Sequence, residues 1–355
     1  MTDDKCRPAA QQAASRQIYI AKDILPGCVY VNKRVPLTVC GVEDGERDAV
    51  RARLVSLYGG ETVAEAFTGG KCLECALSDL PGDFERVDIP AQSLTERKRF
   101  DFSDLHEIMA RLRGEGGCEW DRAQDHGSIR INLIEEAYEL VDAIDRADIA
   151  GMLEESGDIL MQAVFHAQIA EEAGEFDYGD MVTGLCRKLL DRHTHIFGAN
   201  HADNAEQALG FWNEAKKKEK KYTSNTDAMD RVPKNLPALL YAEKVQKVAK
   251  RAGFDWSDYA PAAEKVKEEL DEFLAADAAH MTEEGGDLLF AAVNLLRLKK
   301  VEAENALREA SAKFFRRFGA VEEAVKARGK EMTELSLEEL DKIWDEVKSS
   351  EKEVE

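Results

Sequence analysis

Apolar residues recur at helical spacing through most of the chain from about Ser103 onward. Leu133, Ile134, Ala137, Leu140, Val141 and Ile144 fall on one face of a 3.6-residue period, which predicts an amphipathic helix whose stripe is core, with Ser128 as its N-cap. Ile159, Leu160, Ala163, Val164 and Ala167 repeat the pattern, and Leu288, Leu289, Ala292, Leu295 and Leu296 repeat it again later. Helices of this kind bury their stripes against one another, which predicts bundles. Residues 16 to about 98 have a different texture. Short β-rich runs at Val29–Val31, Leu37–Cys40 and Glu85–Ile89 accompany one helix over Glu46–Leu57, an α/β pattern. A lysine-rich, then Ser/Thr/Asn/Asp-rich stretch over Lys216–Asp230, followed by Pro233 and Pro237, interrupts the helical region. The expected fold is mainly α: two tandem helical-bundle modules, 103–215 and 235–345, behind a small α/β segment, 1–98.

Charge narrows the partners. Among 355 residues, Lys plus Arg number 48 and Asp plus Glu number 70, for a formal net charge of −22. Such a balance disfavours duplex nucleic acid and anionic membranes. A small phosphate ester stays possible, because a divalent metal reverses the local charge of a carboxylate-lined pocket. No run of about 18 apolar residues is present, and residues 1 to 15 are polar, so neither a membrane span nor a secretory leader is expected. Seven scattered cysteines (Cys6, Cys28, Cys40, Cys72, Cys75, Cys118 and Cys186) fit reduced thiols in the cytoplasm. Cys72 and Cys75 make a CxxC without the second pair that a zinc site needs, and read as incidental thiols.

An internal repeat carries the candidate chemistry. Glu135-Glu136-Ala-Tyr-Glu139 precedes Glu154-Glu155-Ser-Gly-Asp158, and Glu268-Glu269-Leu-Asp-Glu272 precedes Glu283-Glu284-Gly-Gly-Asp287. Residues three and four apart share a helix face, so each EExxE and each ExxD gathers its carboxylates on one side. Like charges so placed destabilise an isolated helix by a few tenths of a kcal/mol per pair. Glu136 and Glu269 lie three residues after Leu133 and Val266, beside the apolar stripe, where unpaired carboxylates are expensive. One copy alone would read as a solvated face. Two copies in the same order point instead to a hard cation, Mg²⁺ or Mn²⁺, shared with substrate phosphates. No ExxH accompanies either copy, which removes the histidines of a di-iron bundle site.

Basic pairs recur downstream. Lys188 and Arg192 correspond to Lys313 and Arg317, four apart in each module, a spacing that can grip phosphate oxygens or merely balance acidic neighbours. Counting back from Trp120 and Trp256, the second module carries Lys244 and Lys247 where the first has Ile108 and Arg111. That extra cation favours the second module as the stronger binder of a triphosphate. His193 and His195, two apart, lack paired zinc spacing and read as helix-end residues. Trp120 and Trp256 read as core, with base stacking the other possibility.

Over roughly residues 103 to 345 the chain resembles the MazG family. In the first module the resemblance rests on Leu112–Gly117, Cys118-Glu119-Trp120-Asp121, Gln124, the EExxE and ExxD motifs, and Lys188 through Gly198. In the second it rests on Val232-Pro233, Leu236 to Leu239, Lys244 to Lys247, Gly253 to Trp256, EExxE, ExxD, Asn294 and Lys313 through Phe318. Glu119 and Thr194 stand where the family usually has proline. The resemblance implies a helical fold, a homodimer, and Mg²⁺-dependent hydrolysis of nucleoside triphosphates to monophosphate and pyrophosphate, as in nucleotide-pool house-cleaning. It assigns Glu136, Glu139, Glu155 and Asp158, and Glu269, Glu272, Glu284 and Asp287, as metal ligands, with Glu135 and Glu268 orienting water or a second metal. Lys188, Arg192, Lys244, Lys247, Trp256, Asn294, Lys313 and Arg317 become candidate substrate contacts. The N-terminal segment resembles the C-terminal half of a tetrapyrrole methylase domain without its Gly-rich cofactor loop, and is expected to be a folding or dimerisation appendage. The contrasting possibility is a non-catalytic nucleotide sensor or scaffold, which would bind nucleotide without turnover. The preferred base is not fixed by spacing.

Overall fold

The computed structural model describes residues 16–25, 29–220 and 222–352; Cys6, Cys28 and the polar stretch 1–15 lie outside them. The chain divides into two compact units, one ending at Asp191 and the other starting at Arg192.

The first unit opens with β1 (Gln17–Ile20), α1 (Ala21–Ile24), β2 (Leu37–Cys40), α2 (Arg47–Tyr58), β3 (Val63–Thr68), β4 (Lys71–Ala76) and β5 (Arg86–Ile89). They form a sheet of order β1-β2-β5-β3-β4, parallel between β1 and β2 and antiparallel elsewhere, with Leu37 opposite Ile89. Val50, Leu54 and Tyr58 of α2 share a core with Leu37, Val39, Val87 and Ile89. The expected β2, β5 and α2 are present, but Val29–Val31 is not a strand. β3 escaped notice because alanines, Ala64 and Ala66, fill its buried positions and give little alternation in hydropathy. Cys72 and Cys75 lie three apart in β4, which directs them to opposite faces of the sheet. Both are free thiols, as are Cys118 and Cys186; Cys40 is disulfide-bonded, which corrects the expectation of reduced thiols at that position.

A capped helix joins this sheet to the helical part. In α3 (Phe102–Arg113) the Asp101 carboxylate accepts from the Ser103 and Asp104 amides, closing a capping box, which satisfies donors that a helix start leaves orphaned. Asp104 then accepts from two buried cations, Arg97 and Lys33, the latter at 3.2 Å. Their side chains are 6%, 2% and 4% exposed, so the network is desolvated and fixes the sheet's loops to α3. Next come α4 (Glu119–Ala123), α5 (Arg130–Asp145), α6 (Ile149–Ala173) and α7 (Tyr178–Arg192). Helix α6 ends at Gly174, whose φ of 71° lets its amide reach back to the Ala170 carbonyl, a stop that favours glycine. α3 packs on α6 through Met109, Val164, Phe165 and Ile169, and Arg113 clamps Glu172 with two bonds of 2.9 and 2.7 Å.

Two expectations are corrected here. Ile129, not Ser128, precedes α5, with no side-chain cap; Ser128 instead exchanges bonds with Asp125. The α5 stripe is not core within one chain, since Leu133, Ile134 and Ile144 are exposed. Among the described residues α5 packs chiefly on α6, which leaves the other side of its stripe uncovered.

The second unit contains α8 (Thr194–Phe197), α9 (Ala205–Lys220), α10 (Asn225–Asp230), α11 (Ala238–Arg251), α12 (Ala260–Ala275), α13 (Met281–Leu298), α14 (Ala303–Ala327) and α15 (Leu337–Lys352). Pro237 stands at the α11 N-cap and a proline opens α12, where a missing amide costs nothing. α12 packs on α13 as α5 does on α6, α11 covers α13, and α14 pairs with α15 through Val321, Val325 and Ile343. Among the described residues no helix is long and apolar enough to cross a membrane.

Removing one partner from a buried ion cluster strands the others. Asp104→Ala should lower the stability of the first unit by about 3 kcal/mol, read from denaturant unfolding; a loss within about 0.5 kcal/mol, ordinary for a surface site, would show that the network is not holding this junction.

Candidate metal centre

Each ExxD meets the EExxE of the preceding helix. One carboxylate oxygen each from Glu136 on α5 and Glu155 and Asp158 on α6 lie within 4.8 Å of one another, and Glu269 on α12 does the same with Glu284 and Asp287 on α13. The three-residue step from Glu to Asp is nearly one helical turn, which stacks both acids toward the facing helix. Glu139 and Glu272 stand outside these close triplets. The field of Glu139 still reaches inward.

The first triplet has repulsion without relief. The Glu136 carboxyl is pushed above its ordinary range by burial, then by Asp158, Glu139 and Glu135. Glu155 is pushed up by desolvation, then by Glu139 and Glu154, and its Oε2 is buried with no hydrogen-bond partner. An orphaned acceptor among converging hard oxygens is what a divalent cation would satisfy, so the donor set fits Mg²⁺ or Mn²⁺.

The second triplet differs by one residue. Lys265 on α12 donates to Glu268 at 2.8 Å and to Glu269 at 2.6 Å, and these two bonds raise its own pKa. The matching position, four before Glu136, is Asn132. Glu272 is pushed up by desolvation and then by Glu269. Glu269, Asp287 and Lys265 line a cavity of about 550 Å³ together with Trp256, Asn294 and Arg297. At that wall Arg297 donates to Asn294 Oδ1 at 3.0 Å and to Asp255 Oδ2 at 3.1 Å. The guanidinium holds the Asp255 carboxyl below its usual range. With its oxygen engaged, Asn294 keeps its amide N–H groups for other partners.

The remaining candidates are dispersed. Glu135 and Glu139 are exposed on α5, and Lys188 is exposed on α7. Arg192 is buried against Glu219 at 2.7 Å and lies over the Trp212 ring, so its charge is already engaged. Lys313 is exposed and Arg317 half-buried on α14, and neither lines the second carboxylate cavity. Lys244 and Lys247 line another cavity altogether, which removes the geometric basis for counting Lys244 in favour of the second module. Trp120 and Trp256 are 63% and 42% exposed, which corrects the expectation of core: α4 is too short to bury its indole, and Trp256 faces the cavity. His193 does stand at a helix end, as the residue before α8. Lys265 and Arg297 were not anticipated, and Asp255 appeared only as part of the Gly253–Trp256 motif. Lys265 was discoverable, being four residues before Glu269 on one helix face; Arg297 and Asp255 meet only in the tertiary fold.

Comparison with known proteins places these helices in context. Residues 124–197, which contain the first triplet, match the MazG nucleotide pyrophosphohydrolase domain. The nucleoside triphosphate pyrophosphohydrolase of Escherichia coli K12 is 43% identical over 254 residues, covering 70% of this chain and 97% of that protein. The nucleoside triphosphate pyrophosphohydrolase/pyrophosphatase MazG of Thermotoga maritima is 43% identical over 248 residues, covering 70% of this chain and 95% of its own. A Bacillus subtilis relative, uncharacterized protein YabN, is 44% identical over 257 residues, or 71% of this chain and 52% of its length.

The raised carboxyls give a signed expectation. Glu136 and Glu155 bind protons more tightly folded than unfolded, so the stability they contribute is full at low pH and lost as pH rises through their raised values, above the ordinary 4.5. In EDTA, Glu155→Gln should therefore melt higher than wild type at about pH 7.5, with the gap closing toward about pH 4. Added Mg²⁺ should reverse the sign at neutral pH by stabilising wild type alone. A gap independent of pH would mean that Glu155 is not under repulsion.

Proposed function

The chain belongs to the MazG nucleotide pyrophosphohydrolase family, and from that membership we propose that it hydrolyses nucleoside triphosphates to the monophosphate and pyrophosphate, using Mg²⁺ held by the paired carboxylates. The observation that carries the reading is the twice-built triplet, Glu136 with Glu155 and Asp158, and Glu269 with Glu284 and Asp287. Glu139, close enough to raise Glu136 and Glu155, and Glu272, itself raised by Glu269, complete each donor set. The two modules correspond to 103–215 and 235–345. Clearance of unwanted nucleotides is the physiological role in this reading.

When bound, Mg²⁺ supplies Lewis-acid polarisation of phosphate oxygens and a more acidic water. The protein's own groups do the rest. In the second module Lys265 neutralises Glu268 and Glu269 before substrate arrives, and its three N–H donors can pass to phosphate oxygens as the carboxylates engage the cation. Glu268, released from Lys265, orients the attacking water, and Glu135 has that task in the first module. The half-exposed Trp256 indole offers a stacking face to the base. Asn294, held by Arg297, presents N–H donors to the sugar or phosphate. Cleavage of the α–β anhydride then leaves pyrophosphate.

The dimer rests on surface chemistry. Leu133, Ile134, Tyr138, Ile144, Ile149 and Leu153 are exposed on α5 and the start of α6, and clustered exposed apolar residues mark surfaces that bind partners. A second copy of this chain covers this cluster in this reading.

Turnover should vanish in excess EDTA and return with Mg²⁺, with separated products identified as monophosphate and pyrophosphate; orthophosphate and diphosphate would place cleavage at the wrong bond. Glu136→Gln combined with Glu269→Gln should reduce kcat by more than the roughly 10–100-fold that losing a hydrogen-bond partner of a metal ligand costs, with helicity unchanged by circular dichroism. Because Lys265 preorganises the second module, Asp287→Asn should remove most of the activity and Asp158→Asn little. The reverse order would make the first module the main enzyme.

A further inference from the structure

A second cavity of about 560 Å³ lies within the second unit, and its walls are basic. Lys216 of α9, Arg231 after α10, and Lys244, Lys247, Lys250 and Arg251 of α11 all line it. None of these lines the carboxylate cavity. In a chain of formal net charge −22, six cations converging on one hollow reverse the prevailing field.

Helix-end electrostatics explain only part of the cluster. Lys250 and Arg251 occupy the last turn of α11, where cations favour the helix dipole. Lys247 pairs with the buried Glu243, Lys250 lies 3.9 Å from Asp255, and Arg231 is bonded to Asp227 at 3.0 Å. Lys244 and Arg251 have no carboxylate partner among the described residues. Lys244, Lys247 and Arg251 follow one another at three and four residues along one face, spacings at which like charges repel. Three separate chain segments bring cations to the same place, at an electrostatic cost that a bound anion offsets. Tyr222, Val232 and Val248 make the rest of the lining partly apolar, which strengthens charge–charge contacts by lowering the local dielectric.

We propose that this cavity is a binding site for a small oligophosphate anion, separate from the carboxylate centres, with inorganic pyrophosphate as its simplest occupant. Several convergent N–H donors and positive charge suit the clustered oxygens of such a ligand better than a single carboxylate. The site also has a route to the carboxylate cavity. Helix α11 is a wall of both: Lys244, Lys247 and Arg251 face the basic hollow, whereas Val245, Gln246 and Ala249 line the acidic one, and Gln246 donates to the Phe290 carbonyl of α13 at 2.9 Å. An anion that orders α11 is felt on both sides.

Isothermal titration of the full chain with inorganic pyrophosphate in EDTA tests this without any turnover, so its outcome is independent of the hydrolytic reading. Metal-free carboxylates repel the ligand, so binding in EDTA reports on cationic sites, and the alanine pair at Lys244 and Arg251 assigns it to the basic cavity. Saturable binding is expected, weakened by salt. Lys244→Ala/Arg251→Ala should lose roughly tenfold or more in affinity, the loss of two charge-assisted contacts, while Lys244→Arg/Arg251→Lys and Asp287→Asn keep it. A nucleoside triphosphate bound in EDTA with the same sensitivity to the alanine pair would also support the site. The proposal is overturned if wild type shows no saturable binding, if the alanine pair binds as tightly, if Asp287→Asn abolishes binding, or if sulfate at equal ionic strength displaces pyrophosphate on equal terms.

Discussion

Two groups of three carboxylates, each held within 4.8 Å by a pair of packed helices, are the constraint to which much of this molecule answers. Mutual repulsion would push α5 from α6 and α12 from α13 if nothing else bound them. Packing supplies the opposing force: Ile129, just before α5, shares a core with Val164, Phe165 and Ile169 of α6, and α12 packs directly on α13. The acids are thereby kept close by packing that does not involve them. A cation bound as proposed would find its ligands already assembled, with little ordering entropy left to lose.

Packing within one chain does not finish the task. α5 spends one side on α6 and leaves Leu133, Ile134 and Ile144 to solvent, although the same residues follow a helical core period. The pattern is consistent with a stripe meant for burial outside the single chain, and it adjoins the helix that carries Glu136. A surface covering that stripe would stiffen the metal-facing side of α5 as well. In the first unit the other rigid element is the buried Lys33–Asp104–Arg97 network, which sits at the opposite end of α3 from Met109's contacts with α6 and holds the sheet's loops.

Sequence pattern carried the helices and the triplets because both depend on local spacing. Glu155 and Asp158 share a face in any helix, and the repetition of EExxE and ExxD exposed their relation before any fold was known. β2, β5 and α2 were visible for the same reason. What could not be read was tertiary. Arg192 has the right charge and spacing for phosphate, yet the fold turns it onto Glu219 and Trp212. Lys244 and Lys247 are one and two residues from Val245, which lines the acidic cavity, and face the other way. Trp120 looked like core until its helix proved five residues long. A period assigns a residue to a face; only packing decides what that face meets.

The two triplets, alike in their acids, differ in how they stand without metal. Lys265 bridges Glu268 and Glu269, so the second set carries an internal counter-ion that must be exchanged when a divalent cation arrives. Asn132 at the matching position is neutral, and Glu155 keeps an orphaned buried oxygen. Exchange of an ammonium for a metal costs the second site some metal affinity but leaves a lysine beside the incoming phosphates, where its charge is useful. The first site has no such exchange to make and gains more from the metal itself. In the proposed reading, Lys265 in place of Asn132, both half-buried, separates a centre suited to holding a cation from one suited to sharing it with a substrate.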